Sequence, residues 1–143
     1  MIGFQNLREI ENEEILDCFN LSFSDYSIPF KLSLKQLETK LRTENINKDI
    51  SIGTFIRNKL IGFVLHGDRI EGVNRIAYNA GTGVIPIERG QKLTRRMYDY
   101  IMPTLSKNKF SEVALEVISD NIPAVQQKER HVDATDPYCV HRN

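Results

Sequence analysis

The residues best placed to do chemistry lie in one run, Gly83-Val84-Ile85-Pro86-Ile87-Glu88-Arg89-Gly90-Gln91-Lys92-Leu93-Thr94-Arg95-Arg96. An apolar segment stops at Pro86, turns through Arg89-Gly90 and enters a stretch where Leu93, Met97, Ile101 and Leu105 recur every four residues. The first amides of a helix have no carbonyl four residues behind them, and the helix dipole adds positive character there, so such a turn suits a phosphate. Gly90 lets the backbone curl towards a ligand, and Lys92, Arg95 and Arg96 add charge around it. The same pattern also describes an ordinary strand-to-helix turn with a solvated basic face. Other chemistry is harder to read. Cys18 and Cys139 are far apart, and His131 and His141 sit in a polar tail that would not hold ligands rigidly. His66 falls inside an apolar run and reads as a packed or surface histidine rather than a base.

The elements that must position this run follow from changes of period. Ile2, Phe4 and Leu7 suggest a short first strand, and Glu11, Glu13 and Glu14 suit the first turn of a helix whose buried stripe is Ile15, Phe19 and Phe23. Ser33 can cap a second helix carrying Leu34, Leu37 and Leu41. From Ser51 the period becomes two: Ile52 to Ile56, a turn at Arg57-Asn58-Lys59, and Leu60 to His66 make a hairpin. Asp68 to Gly72 are turn-rich, and Arg75 to Ile85 read as a long strand whose Gly81 and Gly83 suggest a bulge or a close approach. A helix over Lys92 to Ser106, a strand over Val113 to Val117 and a helix entry at Asn121 complete the order β-α-α-β-β-β-α-β-α.

A chain of 143 residues fits one domain, and 41% apolar with 27% charged residues is the composition of a globular protein. Zero formal charge and few aromatics argue against nucleic acid and against an anionic membrane as partners. The start MIGFQNLREIENEE has no signal-peptide pattern and no run reaches membrane-span length, so a reduced cytoplasmic protein is expected.

The run V-I-P-I-E-R-G-Q-K-L-T resembles the coenzyme A loop of the GNAT superfamily of N-acetyltransferases, commonly V-x-P-x-x-R-G-x-G-x-[G/A]. Val84, Pro86, Arg89, Gly90 and Leu93 match; Lys92 stands where the family usually has glycine, and Thr94 where it has glycine or alanine. The element order agrees over residues 1–126. The resemblance implies an α/β (α+β) fold with a mixed, mostly antiparallel central sheet flanked by helices. It implies acetyl-CoA as co-substrate, its diphosphate held by amides from Arg89 through Gln91, Lys92 and Leu93 to Thr94. Its pantetheine arm would lie along Thr82 and Val84, where two strands splay at a bulge. Asn121 matches an asparagine that contacts the cofactor; its other reading is a helix N-cap.

Beyond that asparagine the family shows N-x-x-A-x-x-x-Y-x-x-x-G-F. Asn121 and Ala124 fit, but Lys128 takes the place of the tyrosine general acid, and Val132-Asp133 that of Gly-Phe. Residues 127–143 therefore read as an atypical, loosely ordered tail, with the final hairpin missing. The strand from Glu112 to Ile118 would then be a bare edge, and a homodimer through it is expected. The implied reaction is acetyl transfer to a primary amine, on a small molecule or a peptide. The acceptor would sit between the segment from Phe23 to Leu34 and the loop near Asp68. No catalytic residue is assigned: a water relay or Tyr78 are the candidate bases, with Asp68 and Glu71 behind them. The alternative is a module that keeps the fold and binds coenzyme A or a partner without turnover.

Overall fold

The computed structural model describes residues 1–28, 31–117 and 128–133. The first two helices begin where the sequence sets polar or acidic side chains at their opening turns. Helix α2 (Leu34–Thr43) carries a capping box: Ser33 Oγ accepts from the Gln36 amide at 3.1 Å, and Gln36 Oε1 accepts from the Ser33 amide at 2.8 Å. Helix α1 (Asn12–Ser22) lacks a side-chain cap, and Glu13 and Glu14 meet its dipole instead.

Six strands form one sheet in sequence order: β1 (Ile2–Asn6), β2 (Ile52–Ile56), β3 (Lys59–Glu71), β4 (Asn74–Val84), β5 (Glu112–Val117) and β6 (Lys128–Asp133). All neighbours are antiparallel except β4 and β5, which the crossover helix α3 (Leu93–Lys107) joins in parallel. This is the mixed, mostly antiparallel α/β arrangement that the resemblance implied. Central strand β3 alternates between two covered faces, which explains its nearly unbroken apolar run. Phe63 and Leu65 join Ile15, Phe19 and Leu37 beneath α1 and α2, while Val64 joins Met97, Ile101 and Leu105 beneath α3.

Two expectations change. Strand β3 does not end in a turn at Asp68; it continues to Glu71 and reverses at Gly72, whose φ is +63°. The Arg75 guanidinium holds Asp68 across the hairpin at 2.7 and 3.1 Å, so polar residues that look like a loop extend the ladder. At the far side β5 is not a bare edge. Strand β6 pairs along it from Glu112↔Asp133 to Val117↔Lys128, placing one strand where the last hairpin was expected to be missing. The polar run Lys128 to Asp133 has no apolar alternation to announce a strand, yet backbone pairing needs none. The helix entry at Asn121 lies outside the described residues, as do residues 134–143.

Candidate functional site

Strand β4 has a different neighbourhood at each end. Its pairing with β5 stops at Tyr78↔Ala114. Immediately beyond, Leu65 pairs with Gly81 but His66 pairs with Asn79, so Ala80 is an extra residue in the ladder with β3. Such a bulge bends and twists its strand. Among the described residues, Asn79 to Val84 are consequently paired on the β3 side only. Gly83 is required for packing here. A Cβ on it would lie 2.8 Å from both Phe63 Cε1 and Ser22 Cβ, inside the contact between β4 and α1.

After β4 the chain makes a single 3-10 turn at Pro86–Glu88 and then passes through two left-handed residues, Gly90 (φ +88°) and Lys92 (φ +56°). Lysine at such a position costs about 1 kcal/mol, which accounts physically for the glycine usual there in the family it resembles. The amides of Glu88 and Arg89 bond back to Ile85 and Pro86, and the Arg96 amide bonds to the Lys92 carbonyl. Between them, the amides from Gly90 to Arg95 have no backbone acceptor among the described residues. They form a run of donors at the positive end of a 15-residue helix.

The charges around this run divide by role. Arg89 Nη1 and Nη2 reach Asp25 at 2.6 and 3.2 Å, Nη2 also donates to the Ser22 carbonyl, and Nε donates to the Val84 carbonyl at 3.2 Å. Its guanidinium holds the Asp25 carboxyl below the usual range, while Asp25 raises the arginine. Arg89 thus ties the end of α1 to the end of β4. Arg96 lies over the Phe4 ring, 5.3 Å from its centre, away from the turn. Lys92 forms no ion pair among the described residues and borders the groove.

That groove encloses about 660 Å³. Thr82 and Val84 of β4 line it, as do Arg89, Gly90, Gln91, Lys92, Leu93 and Thr94, with Ser22, Phe23 and Tyr26 as the opposite wall. Eight of the nine residues singled out from the sequence therefore share one cleft; Asn121 is the ninth and is not described. Leu93 is buried and anchors the start of α3 in the core with Ile15 and Phe63. Gln91 Nε2 bonds the Glu88 carbonyl and carboxylate at 3.1 Å, bracing the turn.

Sequence reading missed the groups behind this wall. His66 and Tyr98 are fully buried. His66 Nδ1 lies 2.7 Å from the Ile50 carbonyl and Nε2 3.0 Å from Tyr98 Oη. Asn79 Nδ2 then reaches Tyr98 Oη at 2.9 Å and Thr82 Oγ1 at 2.6 Å, and Asn79 Oδ1 accepts from the Gly81 amide at 2.9 Å. Burial pushes the His66 imidazole down to about 4, outweighing the raising effect of the Ile50 carbonyl, so the ring is neutral at pH 7. The only signal in the sequence was a histidine within an apolar run.

The candidate bases are committed elsewhere. Tyr78 donates to the Glu44 carbonyl, and burial raises its phenol, making proton abstraction harder. Asp68 is held by Arg75, and Glu71 pairs with Arg69 at 2.9 Å. Cys18 is buried, with its thiol pushed up to about 12, and offers no nucleophile.

No protein-family model and no curated protein sequence matches the chain. Solved structures do. A GNAT family acetyltransferase from Brucella melitensis, in complex with acetyl-CoA, superposes with a TM-score of 0.67 at 12% identity, over 93% of this chain and 88% of that one. The ribosomal-protein-S18-alanine N-acetyltransferase of Escherichia coli gives 0.63 at 17% identity, over 87% and 72%. The ribosomal-protein-alanine N-acetyltransferase of Brucella melitensis biovar Abortus 2308 gives 0.60 at 20%, over 88% and 82%. At such identities the likeness speaks for architecture, and the architecture of this chain is the GNAT acetyltransferase fold.

Proposed function

We propose that the chain is an acyl-CoA-dependent N-acyltransferase that moves an acetyl group from acetyl-CoA to a primary amine. The observation that carries this reading is the run of unbonded amides from Gly90 to Arg95, opening onto a groove walled by the one-sided half of β4. A diphosphate suits that donor set, with Lys92 adding charge. The unpaired edge at Thr82 to Val84 suits an extended amide-bearing arm, although Arg89 Nε already occupies one acceptor position on the Val84 carbonyl. Asn121 keeps its proposed contact from the motif alone.

Acetyl-CoA would supply an acetyl thioester whose C–S bond breaks as the C–N bond to the amine forms, the displaced proton passing from nitrogen to sulfur. The chain's part is to hold and orient: amides on the phosphates, the β4 edge on the arm, and Phe23 and Tyr26 walling the side from which an amine would enter. No side chain is assigned as base, and deprotonation through water fits the commitment of Tyr78, Asp68 and Glu71 to other partners. Two neighbours named for ribosomal-protein alanine make a peptide amine a fitting acceptor beside small molecules. No described helix is long and apolar enough to cross a membrane, and the buried Cys18, a free thiol among the described residues, suits the reducing cytoplasm we propose as its setting. A homodimer, if formed by strand pairing, would use the outer strands β1 or β6 rather than β5.

Titration calorimetry with acetyl-CoA is expected to give a dissociation constant between roughly 1 µM and 1 mM, the span of ordinary enzyme substrates. Thiol release with a panel of amines then tests turnover. No binding at 1 mM, on the order of that upper limit, would overturn the reading. The second reading, a coenzyme A-binding module without turnover, is favoured by the committed candidate bases and by Lys128 at the family's tyrosine position. Binding with no thiol released from any amine would select it.

A further inference from the structure

We infer that Thr82 is a dedicated hydrogen-bond donor facing the groove, and that Asn79, Tyr98 and His66 are positioning residues that fix its polarity. This rests on the acetyl-CoA reading above, because the group to be met is a carbonyl oxygen on the arm of that co-substrate.

The direction of every bond follows from the two ends of the network. The Ile50 carbonyl only accepts, so the His66 proton is on Nδ1. Nε2 then has a lone pair and accepts from Tyr98 Oη at 3.0 Å, which uses the only proton that the tyrosine has. At the other end the Gly81 amide only donates, so the Asn79 atom facing it is the oxygen, and the NH₂ is turned inward. Its two protons go to Tyr98 Oη at 2.9 Å and to Thr82 Oγ1 at 2.6 Å. Thr82 therefore receives a hydrogen bond inside the protein and keeps its own proton, for which no acceptor stands among the described residues. Thr82 lines the groove, beside the β4 edge that β5 leaves uncovered.

The arrangement is more than a brace for the bulge. Bracing would need only the Asn79 oxygen on the Gly81 amide. The rest of the chain, through two fully buried rings, settles which way the Thr82 hydroxyl turns. A donor oriented before binding spends little ordering entropy when the ligand arrives.

The test compares two ligands by calorimetry on the full chain: acetyl-CoA and adenosine 3′,5′-bisphosphate, which has a nucleotide and phosphates but no arm. Thr82→Val should weaken acetyl-CoA about five- to tenfold, the worth of one hydrogen bond, and change the bisphosphate by less than about twofold. Thr82→Ser should restore acetyl-CoA to within about twofold of the native value, and Tyr98→Phe should weaken acetyl-CoA alone, by about two- to threefold. A merely structural role would move both ligands together with the melting temperature. The inference is overturned if Thr82→Val binds acetyl-CoA like the native chain, if both ligands weaken equally, or if serine fails to rescue. If the native chain binds the bisphosphate but gains nothing from the arm, this inference falls while a phosphate site stands. If it binds neither ligand, the acetyl-CoA reading falls as well.

Discussion

The two halves of β4 share a strand but not a means of support. Ile76 to Tyr78 are held on both sides by backbone ladders, to β3 and to β5. Asn79 to Val84 have β3 on one side, and on the other the side chains of Asn79 and Arg89. Where ladders satisfy the backbone, nothing is left to bind a ligand. Where side chains replace one ladder, an edge, a hydroxyl and a cleft become available. The difference teaches that the candidate site is made by withholding a partner strand rather than by adding a loop.

Acid should separate the halves most strongly. His66 has a folded value of about 4 against an ordinary 6.5, so the unfolded chain binds the extra proton first. Its contribution is whole above about pH 6.5 and is lost as pH falls towards 4, by about 3 kcal/mol in all. Urea unfolding at pH 7, 5.5 and 4 should show this slope, and His66→Gln should flatten it. An unchanged slope in that variant would assign acid sensitivity to other groups. Hydrogen exchange should show the amides near the Ala80 bulge opening before those paired to β5.

A smaller effect is expected at Gly83, where Ala would press against Phe63 and Ser22. Overpacking of this kind costs about 1–3 kcal/mol. The same change at Gly3, whose Cβ would meet nothing within 4 Å, should be close to neutral. Equal melting temperatures for the two variants would contradict the close approach of α1 to β4. The smallest effect is a gain: Lys92→Gly should stabilise the chain by about 0.5–1 kcal/mol by relieving the left-handed lysine, while removing a charge from the groove. Thermal unfolding with and without adenosine 3′,5′-bisphosphate separates these opposing consequences.

Much of this was legible in local pattern. Ser33 announced the start of α2, the four-residue stripe announced α3, and the Pro86 to Gly90 turn announced the cleft, because caps, periodicity and turns are properties of neighbouring residues. What escaped depends on partners far along the chain. The Arg89 amide was expected to meet a phosphate, but it bonds the Pro86 carbonyl at 3.3 Å, and the guanidinium is engaged by Asp25, 64 residues away. His66 is packed, one of the two places expected for it, but its bond to Tyr98, 32 residues on, and the link from there to Asn79 could not be read locally. Strand β6 escaped for another reason: Lys128 to Asp133 have no apolar alternation, and backbone pairing requires none.

The central claim is that ligand phosphates meet the free amides from Gly90 to Arg95, beside the uncovered half of β4. An amide-resolved nuclear magnetic resonance titration of the ¹⁵N-labelled chain with acetyl-CoA tests it most directly. The account expects the largest shifts at Gly90 to Thr94, smaller ones from Asn79 to Val84, and none above baseline from Asn74 to Tyr78. Saturable shifts centred elsewhere, with Gly90 to Thr94 unmoved, would contradict it.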